Sequence, residues 1–255
     1  MTRLALGGIT HRRGARTVLA GVDAAFESGR LTAVIGPNGA GKSTLLAIAA
    51  GLLRPDAGTI TLDERAIRAI PPRELAAVRA YLPQSPRAEW PVRVERLVAL
   101  GLSQHLPVFG PLPGRWRLAV SGALARFDLI ALRDRPATRL SGGELARAML
   151  ARAVVGEPRV LIVDEPSAGL DPRHAHEAAR QLRALADDGC AVVVALHDLD
   201  LVSRIADDVV ALKDGRLHAS GPAEAVLTEP TLGALYDMPV RVDRAGGRAS
   251  VRFGD

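Results

Sequence analysis

Apolar residues fall along this chain in two rhythms. Three blocks are apolar or β-branched at nearly every position: Leu31-Thr32-Ala33-Val34-Ile35, Val160-Leu161-Ile162-Val163, and Ala191 to Leu196. Blocks that short, with no polar face, predict strands buried on both sides. Other stretches repeat at helical spacing. Ala175, Ala178, Leu182 and Leu185 share one face, and Asp171-Pro172 supplies the N-cap and first-turn pair that starts such a helix. Strand and helix patterns alternate, which predicts an α/β core.

Before the first apolar block, Thr17-Val18-Leu19 and Val22 to Phe26 read as short strands that turn through Glu27-Ser28-Gly29-Arg30. Thr59-Ile60-Thr61-Leu62 reads as a further strand, and Pro71-Pro72 opens a short helix running to about Arg79. Between residues 85 and 140 the rhythm changes. Pro86, Pro91, Pro107, Pro111 and Pro113 punctuate helical pieces such as Val94–Leu100 and Trp116–Phe127, which predicts a helical insertion. Lys213-Asp214-Gly215-Arg216 predicts a hairpin turn, and two short strand-like pieces flank Gly246-Gly247 in the tail.

Directly after the first buried strand comes Gly36-Pro37-Asn38-Gly39-Ala40-Gly41-Lys42-Ser43, followed by the helix formers from Thr44 to Ala50. A strand, a glycine-rich turn and a helix start are the setting of a phosphate-binding P-loop. Glycines let successive N–H groups turn inward onto phosphate oxygens, and the helix N-terminus adds partial positive charge. Lys42 then reaches the β- and γ-phosphates while the Ser43 hydroxyl meets Mg²⁺. Composition sharpens this reading, because Lys42 and Lys213 are the only lysines in a chain that otherwise uses Arg.

Composition bounds the rest. The 255 residues are 48% hydrophobic, 24% charged and 3% aromatic, so the core is built from Ala, Leu and Val. The net charge of +5 suits a phosphate ligand or an anionic surface. The arginines are scattered, with no basic run interleaved with aromatics, so nucleic acid is not expected as a partner. Cys190 is the only cysteine, which excludes an internal disulfide. No apolar run is long enough to span a bilayer and the N-terminus lacks a signal-peptide core, so membrane insertion is not expected.

Phosphoryl transfer also needs a metal ligand, a positioned water and groups on the γ-phosphate. Asp164 and Glu165 end the second buried strand, where α/β sheets bind ligands. Asp164 fits the Mg²⁺ shell and Glu165 fits the base that polarises water, although an acidic pair before Pro166 also suits a helix start. His197 follows the third strand, within reach of a γ-phosphate, yet also fits a capping role. Gln84 follows the Leu82 strand and can touch both metal and water, or be an ordinary loop residue. Leu140-Ser141-Gly142-Gly143-Glu144 fits either an anion-binding helix start or a plain capping box.

The order of these pieces is more specific than any one of them. Together they resemble the nucleotide-binding subunit of ATP-binding cassette (ABC) transporters over nearly the whole chain. Gly36 to Ser43 corresponds to Walker A, Gln84 to the Q-loop, Leu140 to Glu144 to the signature and Val160 to Glu165 to Walker B. Ser167-Ala168-Gly169-Leu170-Asp171 corresponds to the D-loop and His197 to the switch histidine. The resemblance implies an α/β P-loop NTPase core at 1–84 and 157–255 with an N-terminal antiparallel β-subdomain. Residues 85–156 would form the helical signature subdomain.

It also implies an ATPase using ATP and Mg²⁺, bound by Gly36, Pro37, Asn38, Gly39, Ala40, Gly41, Lys42, Ser43 and Thr44. Ser43, Gln84 and Asp164 would attend the metal; Glu165, His197, Gln84 and Lys42 would serve catalysis. His11 would stack on adenine, where the family carries an aromatic ring. Ser141, Gly142, Gly143, Glu144 and Asp171 would meet nucleotide held by a second, head-to-tail copy. Tyr81-Leu82-Pro83-Gln84, Trp90 to Val94, Val98 to Gly101 and Val226 to Leu232 are similar to importers of iron chelates, haem and cobalamin. Zinc and manganese importers share much of that pattern. Leu102-Ser103-Gln104-His105 departs from it, standing where chelate importers usually carry Arg. The implied partners are a membrane permease and a periplasmic or surface binding protein, with this chain peripheral on the cytoplasmic face of the cell membrane. A non-transport ABC protein acting on nucleic acid or ribosomes is the remaining alternative.

Overall fold

The middle strands of the central sheet are apolar at every position because both of its faces are covered. The structure, a computed structural model, describes residues 1–84, 88–105, 113–166, 171–245 and 248–254. Pro86, Pro107, Pro111, the Ser167–Leu170 part of the D-loop and Gly246-Gly247 lie outside the described residues.

The chain opens with β1 (Arg3–Arg13) and β2 (Arg16–Glu27), a long antiparallel pair. The sequence pattern there suggested shorter strands, because register shifts between Leu6 and Ile9 and around His11 break the alternation without ending the pairing. Then come β3 (Leu31–Ile35), α1 (Lys42–Ala49), β4 (Ala57–Leu62), β5 (Arg65–Ala66), α2 (Pro72–Val78) and β6 (Arg79–Leu82). The proline-punctuated stretch forms α3 (Val94–Ala99), a 3₁₀ segment Leu100–His105 and α4 (Gly114–Arg126), followed by α5 (Gly142–Val154). Alternation resumes with β7 (Val160–Asp164), α6 (Pro172–Asp187), β8 (Ala191–Ala195), α7 (Leu199–Ile205), β9 (Asp208–Lys213) and β10 (Arg216–Pro222). Two short helices, α8 (Ala223–Val226) and α9 (Glu229–Tyr236), lead to the hairpin of β11 (Val240–Ala245) and β12 (Arg248–Phe253).

Six strands form the central sheet in the order β10-β9-β3-β8-β7-β6, and only β10 runs antiparallel to its neighbour. Strands β2-β1-β4-β5 form a second, antiparallel sheet. Alternate residues of the parallel strands divide between two cores. Val34, Ile162, Val193 and Leu212 face α1 and the antiparallel sheet, packing with Leu45, Ile48, Phe26 and Ile60. Ala33, Leu161, Val163 and Val194 face the other way, toward Leu150, Leu182 and Val202 of the flanking helices. The helix α1 is thus sandwiched between two sheets, which fixes the turn leading into it.

The 3₁₀ segment packs tightly on α5. A Cβ at Gly101 would lie 1.9 Å from the Arg152 carbonyl oxygen and 2.7 Å from Val155 Cγ1, and backbone cannot yield as a flexible side chain would. Gly101→Ala is therefore expected to destabilise the fold by about 2 kcal/mol, the usual scale for overpacking. Denaturant unfolding checks this; an unchanged midpoint would mean that the segment shifts freely off α5.

Candidate functional site

Parallel strands that share a register end at the same edge. Val34 of β3 pairs with Ala195 of β8, which pairs with Asp164 of β7, while Leu82 of β6 pairs with Val163. The segments leaving these ends therefore start side by side: the glycine-rich turn, Glu165, His197 and Gln84. This is the edge at which open α/β sheets bind ligands.

A cavity of ≈ 370 Å³ lies there. Asn38, Gly39, Gly41, Lys42, Ser43 and Thr44 line it from the turn and the start of α1, and Gln84 and Glu165 line it from the neighbouring strand ends. The turn needs glycine at its entrance: Gly36 has φ 144°, and a Cβ there would lie 2.1 Å from the Leu212 carbonyl oxygen. Gly36, Pro37 and Ala40 shape the loop from behind. The Lys42 ammonium donates to the carbonyls of Gly36 at 2.8 Å and Pro37 at 3.1 Å. Burial lowers the Lys42 pKa, against the opposing pull of Glu165 and Asp164. C-terminal helix α9 braces the same loop, where the Tyr236 hydroxyl accepts from the Gly36 amide and burial raises the phenol pKa.

Asp164 is buried beside this loop. Burial, and then the nearby Glu165 charge, raise its pKa, while a hydrogen bond from Ser43 and the charge of Lys42 work to lower it. Its Oδ1 is buried without a hydrogen-bond partner. An orphaned carboxylate oxygen next to a serine hydroxyl fits Mg²⁺, which takes one or two protein oxygens and completes its shell with phosphate and water. Among the described residues no cluster of three His, Cys, Asp or Glu forms a self-contained metal cage. Ser43 and Asp164 are the residues that would hold such an ion, and Gln84 lines the same cavity as Ser43.

Glu165 turns away from its strand in the left-handed conformation, φ 51°, with its amide donating to the Ala195 carbonyl. A non-glycine residue there carries local strain, and such residues gather at functional sites. The turn brings its carboxylate between two partners: Gln84 Nε2 donates to Oε2, and His197 Nε2 pairs with Oε1. Three residues picked out from separate parts of the sequence therefore form one hydrogen-bonded set.

Other expected site residues stand apart from this cavity. Ser141 caps α5, and Ser141 and Glu144 form the capping box in full, with the backbone hydrogen bond from Ser141 as the main cause of the lowered Glu144 pKa. Neither these residues nor Gly142 and Gly143 line the cavity of their own chain. Asp171 caps α6, accepting from the His174 amide at 2.9 Å and pairing with its ring at 2.7 Å.

His11, expected at the adenine, is not among the residues that line this cavity. Its side chain is tucked against the loop after α1, with Nδ1 3.6 Å from Asp56, and it lines no part of the cavity. Arg13 and Arg16 line it instead, together with Val18. The signal was present in the sequence, since both arginines flank Gly14 in a hairpin, but the register that aims them is set by the shift after His11.

Comparison with known proteins agrees with this geometry. The family described as ABC transporter matches residues 19–168. A hemin import ATP-binding protein of Nocardia farcinica is 41% identical over 246 residues, spanning 95% of this chain and 85% of that protein. A solved inward-facing ABC transporter, assigned to the metal-chelate type, superposes with a TM-score of 0.84 at 25% identity, covering 100% of this chain and 97% of that one. The dimeric structure of a bacterial ABC transporter cassette superposes with a TM-score of 0.77 at 25% identity, over 86% of this chain and 98% of that one. With the P-loop, the buried carboxylate and the Gln84–Glu165–His197 set on one sheet edge, the chain belongs to the ABC transporter family, as its ATP-binding, ATP-hydrolysing part.

Proposed function

We propose that this chain is the ATPase subunit of an importer for haem or a related iron chelate or cobalamin, working as a dimer on a separate membrane permease. The observation that carries the cargo class is the 41% identity to a hemin import ATP-binding protein over 95% of the chain. The superposition on a metal-chelate type transporter supports it. No helix among the described residues is long and apolar enough to cross a membrane. A second cavity of ≈ 410 Å³ lies where β6 meets the 3₁₀ segment and α5, lined by Tyr81, Pro83, Leu100, Gln104, Met149 and Arg152. It opens beside Gln84, the position suited to passing a permease's motion to the catalytic edge. Purifying the complex with its genetic neighbours and measuring ATPase with haem, a ferric chelate, cobalamin or zinc tests the cargo. Stimulation by zinc alone would overturn the chelate assignment.

At the site, ATP phosphates replace the carbonyl partners of Lys42 and take hydrogen bonds from the loop amides. Ser43 and Asp164 would hold Mg²⁺, which when bound would supply positive charge to offset that of the phosphates. Glu165 orients and deprotonates the attacking water, Gln84 positions that carboxylate, and His197 reaches the γ-phosphate from the next strand end. In the head-to-tail dimer, Ser141 and the α5 N-terminus close the site of the other copy.

Glu165→Gln should leave ATP binding intact and lower hydrolysis by about 10²–10⁴-fold, the range for a lost general base. Near-normal turnover would remove Glu165 from the mechanism.

Asp164→Asn separates stability from function. The raised folded-state pKa means that the ionised carboxylate costs stability above that pKa, and the cost fades as pH falls and the group protonates. Without nucleotide at neutral pH, Asn should therefore stabilise the fold, because it removes the charge that burial disfavours. The gain should shrink in acid, and Mg²⁺-dependent hydrolysis should be lost. A less stable variant would contradict the burial cost.

The trans arrangement has its own test. Lys42→Ala and Ser141→Arg should each be nearly inactive alone. In verified mixed dimers both defects fall in one site, leaving the other intact, so ATPase should return. Mixed dimers that stay inactive would count against it.

A further inference from the structure

The start of α5 is braced from within its own chain by a side chain of α6. Gly142 and Gly143 open α5. Glycine is a poor helix former, and neither residue takes a left-handed φ that would require it. The two differ in their surroundings. A Cβ at Gly142 would meet nothing within 4 Å. A Cβ at Gly143 would lie 3.3 Å from Cγ and Nδ1 of His174 and 3.4 Å from its Cδ2. A point nearly equidistant from three adjacent ring atoms at that range lies above the ring plane. The His174 imidazole therefore lays its face on Gly143, where a side chain would push it away.

The edge of the same ring is held by Asp171, the N-cap of α6. The His174 amide donates to Asp171 Oδ1 at 2.9 Å, and ring Nδ1 lies 2.7 Å from Oδ2. The backbone hydrogen bond from His174 is the main cause that keeps the Asp171 carboxyl below its ordinary pKa. An ionised carboxylate only accepts, so Nδ1 carries the proton and the ring's tautomer and orientation are set. His176, two residues on, turns elsewhere, to the Pro172 carbonyl and Arg204. His174 lines no part of its own chain's cavity.

We propose that His174 is a positioning residue for ATP hydrolysis: by tying Asp171 to Gly143 it sets where the α5 start, and Ser141 with it, stands at the site of the other copy. The inference rests on the head-to-tail reading of the dimer. Without the ring, Asp171 loses one donor and a space opens beside Gly143. The α5 start can then settle toward α6 and draw Ser141 back, while nothing changes at the chain's own P-loop.

His174→Ala in the full chain should lower the ATPase rate by about 10-fold, the scale of a lost hydrogen bond to a charged group. ATP affinity of the monomeric chain should stay within about 2-fold, since the residue lies off that cavity. Affinity lost along with the rate would mark general damage and overturn the positioning role. His174→Asn, whose amide N–H can donate near the place of Nδ1, should recover most of the rate; an Asn variant as slow as Ala would also count against it. Mixed dimers decide which site is served. Paired with Lys42→Ala, the His174→Ala defect falls in the site already disabled, so the rate should equal that of Lys42→Ala paired with wild type. A rate about 10-fold below that pairing would place the effect at the residue's own nucleotide and sink this inference alone. If Lys42→Ala with Ser141→Arg stays inactive, the head-to-tail reading falls, and this inference with it.

Discussion

Two charges at the catalytic edge are buried before any ligand compensates them, and the site is organised around that cost. Burial lowers the pKa of Lys42 and raises that of Asp164, so each is pushed toward its uncharged form. Lys42 is held by two carbonyls of its own loop, which are weak substitutes for an anion. Asp164 has one oxygen with no partner at all. An anion beside the ammonium and a cation beside the carboxylate would relieve both costs at once. Mg²⁺ with a nucleotide polyphosphate would supply that pair of charges, and the scaffold pays in stability for the two uncompensated groups.

The sheet makes this arrangement possible by its strand order. Strand β8 lies between the P-loop strand β3 and the Asp164 strand β7, and their shared register sets the three ends level. The left-handed turn at Glu165 then carries its carboxylate out of the strand line into a set with Gln84 and His197. Each of these partners comes from a different strand end, so a shift of β6 relative to β7 would be felt at the carboxylate. The cavity beside Tyr81 and Pro83 borders that same strand. On the proposed reading, a partner protein pressing there would act on the position of Gln84 through that single short strand.

Local patterns made most of this readable in advance. The P-loop is legible because its glycines, lysine and serine act through the backbone next to them, and the flanking strand and helix carry their own signals. The capping box at Ser141 and the N-cap at Asp171 are equally local, and both form as the spacing indicates. The buried strands were visible as apolar blocks because both sheet faces are covered. What was not legible depends on long-range register. His11 sits in a strand whose pairing slips on either side of it, so counting residues cannot say which side chain reaches the loop. The pairing directs His11 to Asp56 and leaves Arg13 and Arg16 at the cavity. The same slips made β1 and β2 look like several short strands. Similarly, the convergence of Gln84 on Glu165 needs β6 to lie beside β7, an order that no local pattern announces.

Thermal unfolding with and without Mg²⁺·ATP tests the central claim, that the buried charges at this edge are completed by that ligand. At a ligand concentration about 100 times the Kd, binding to the folded state alone stabilises by about 2.7 kcal/mol. Wild-type protein should show a rise of that order, and Lys42→Ala, which removes the ammonium and its cost together, should show almost none. Equal stabilisation of the two proteins, or none in either, would contradict the account.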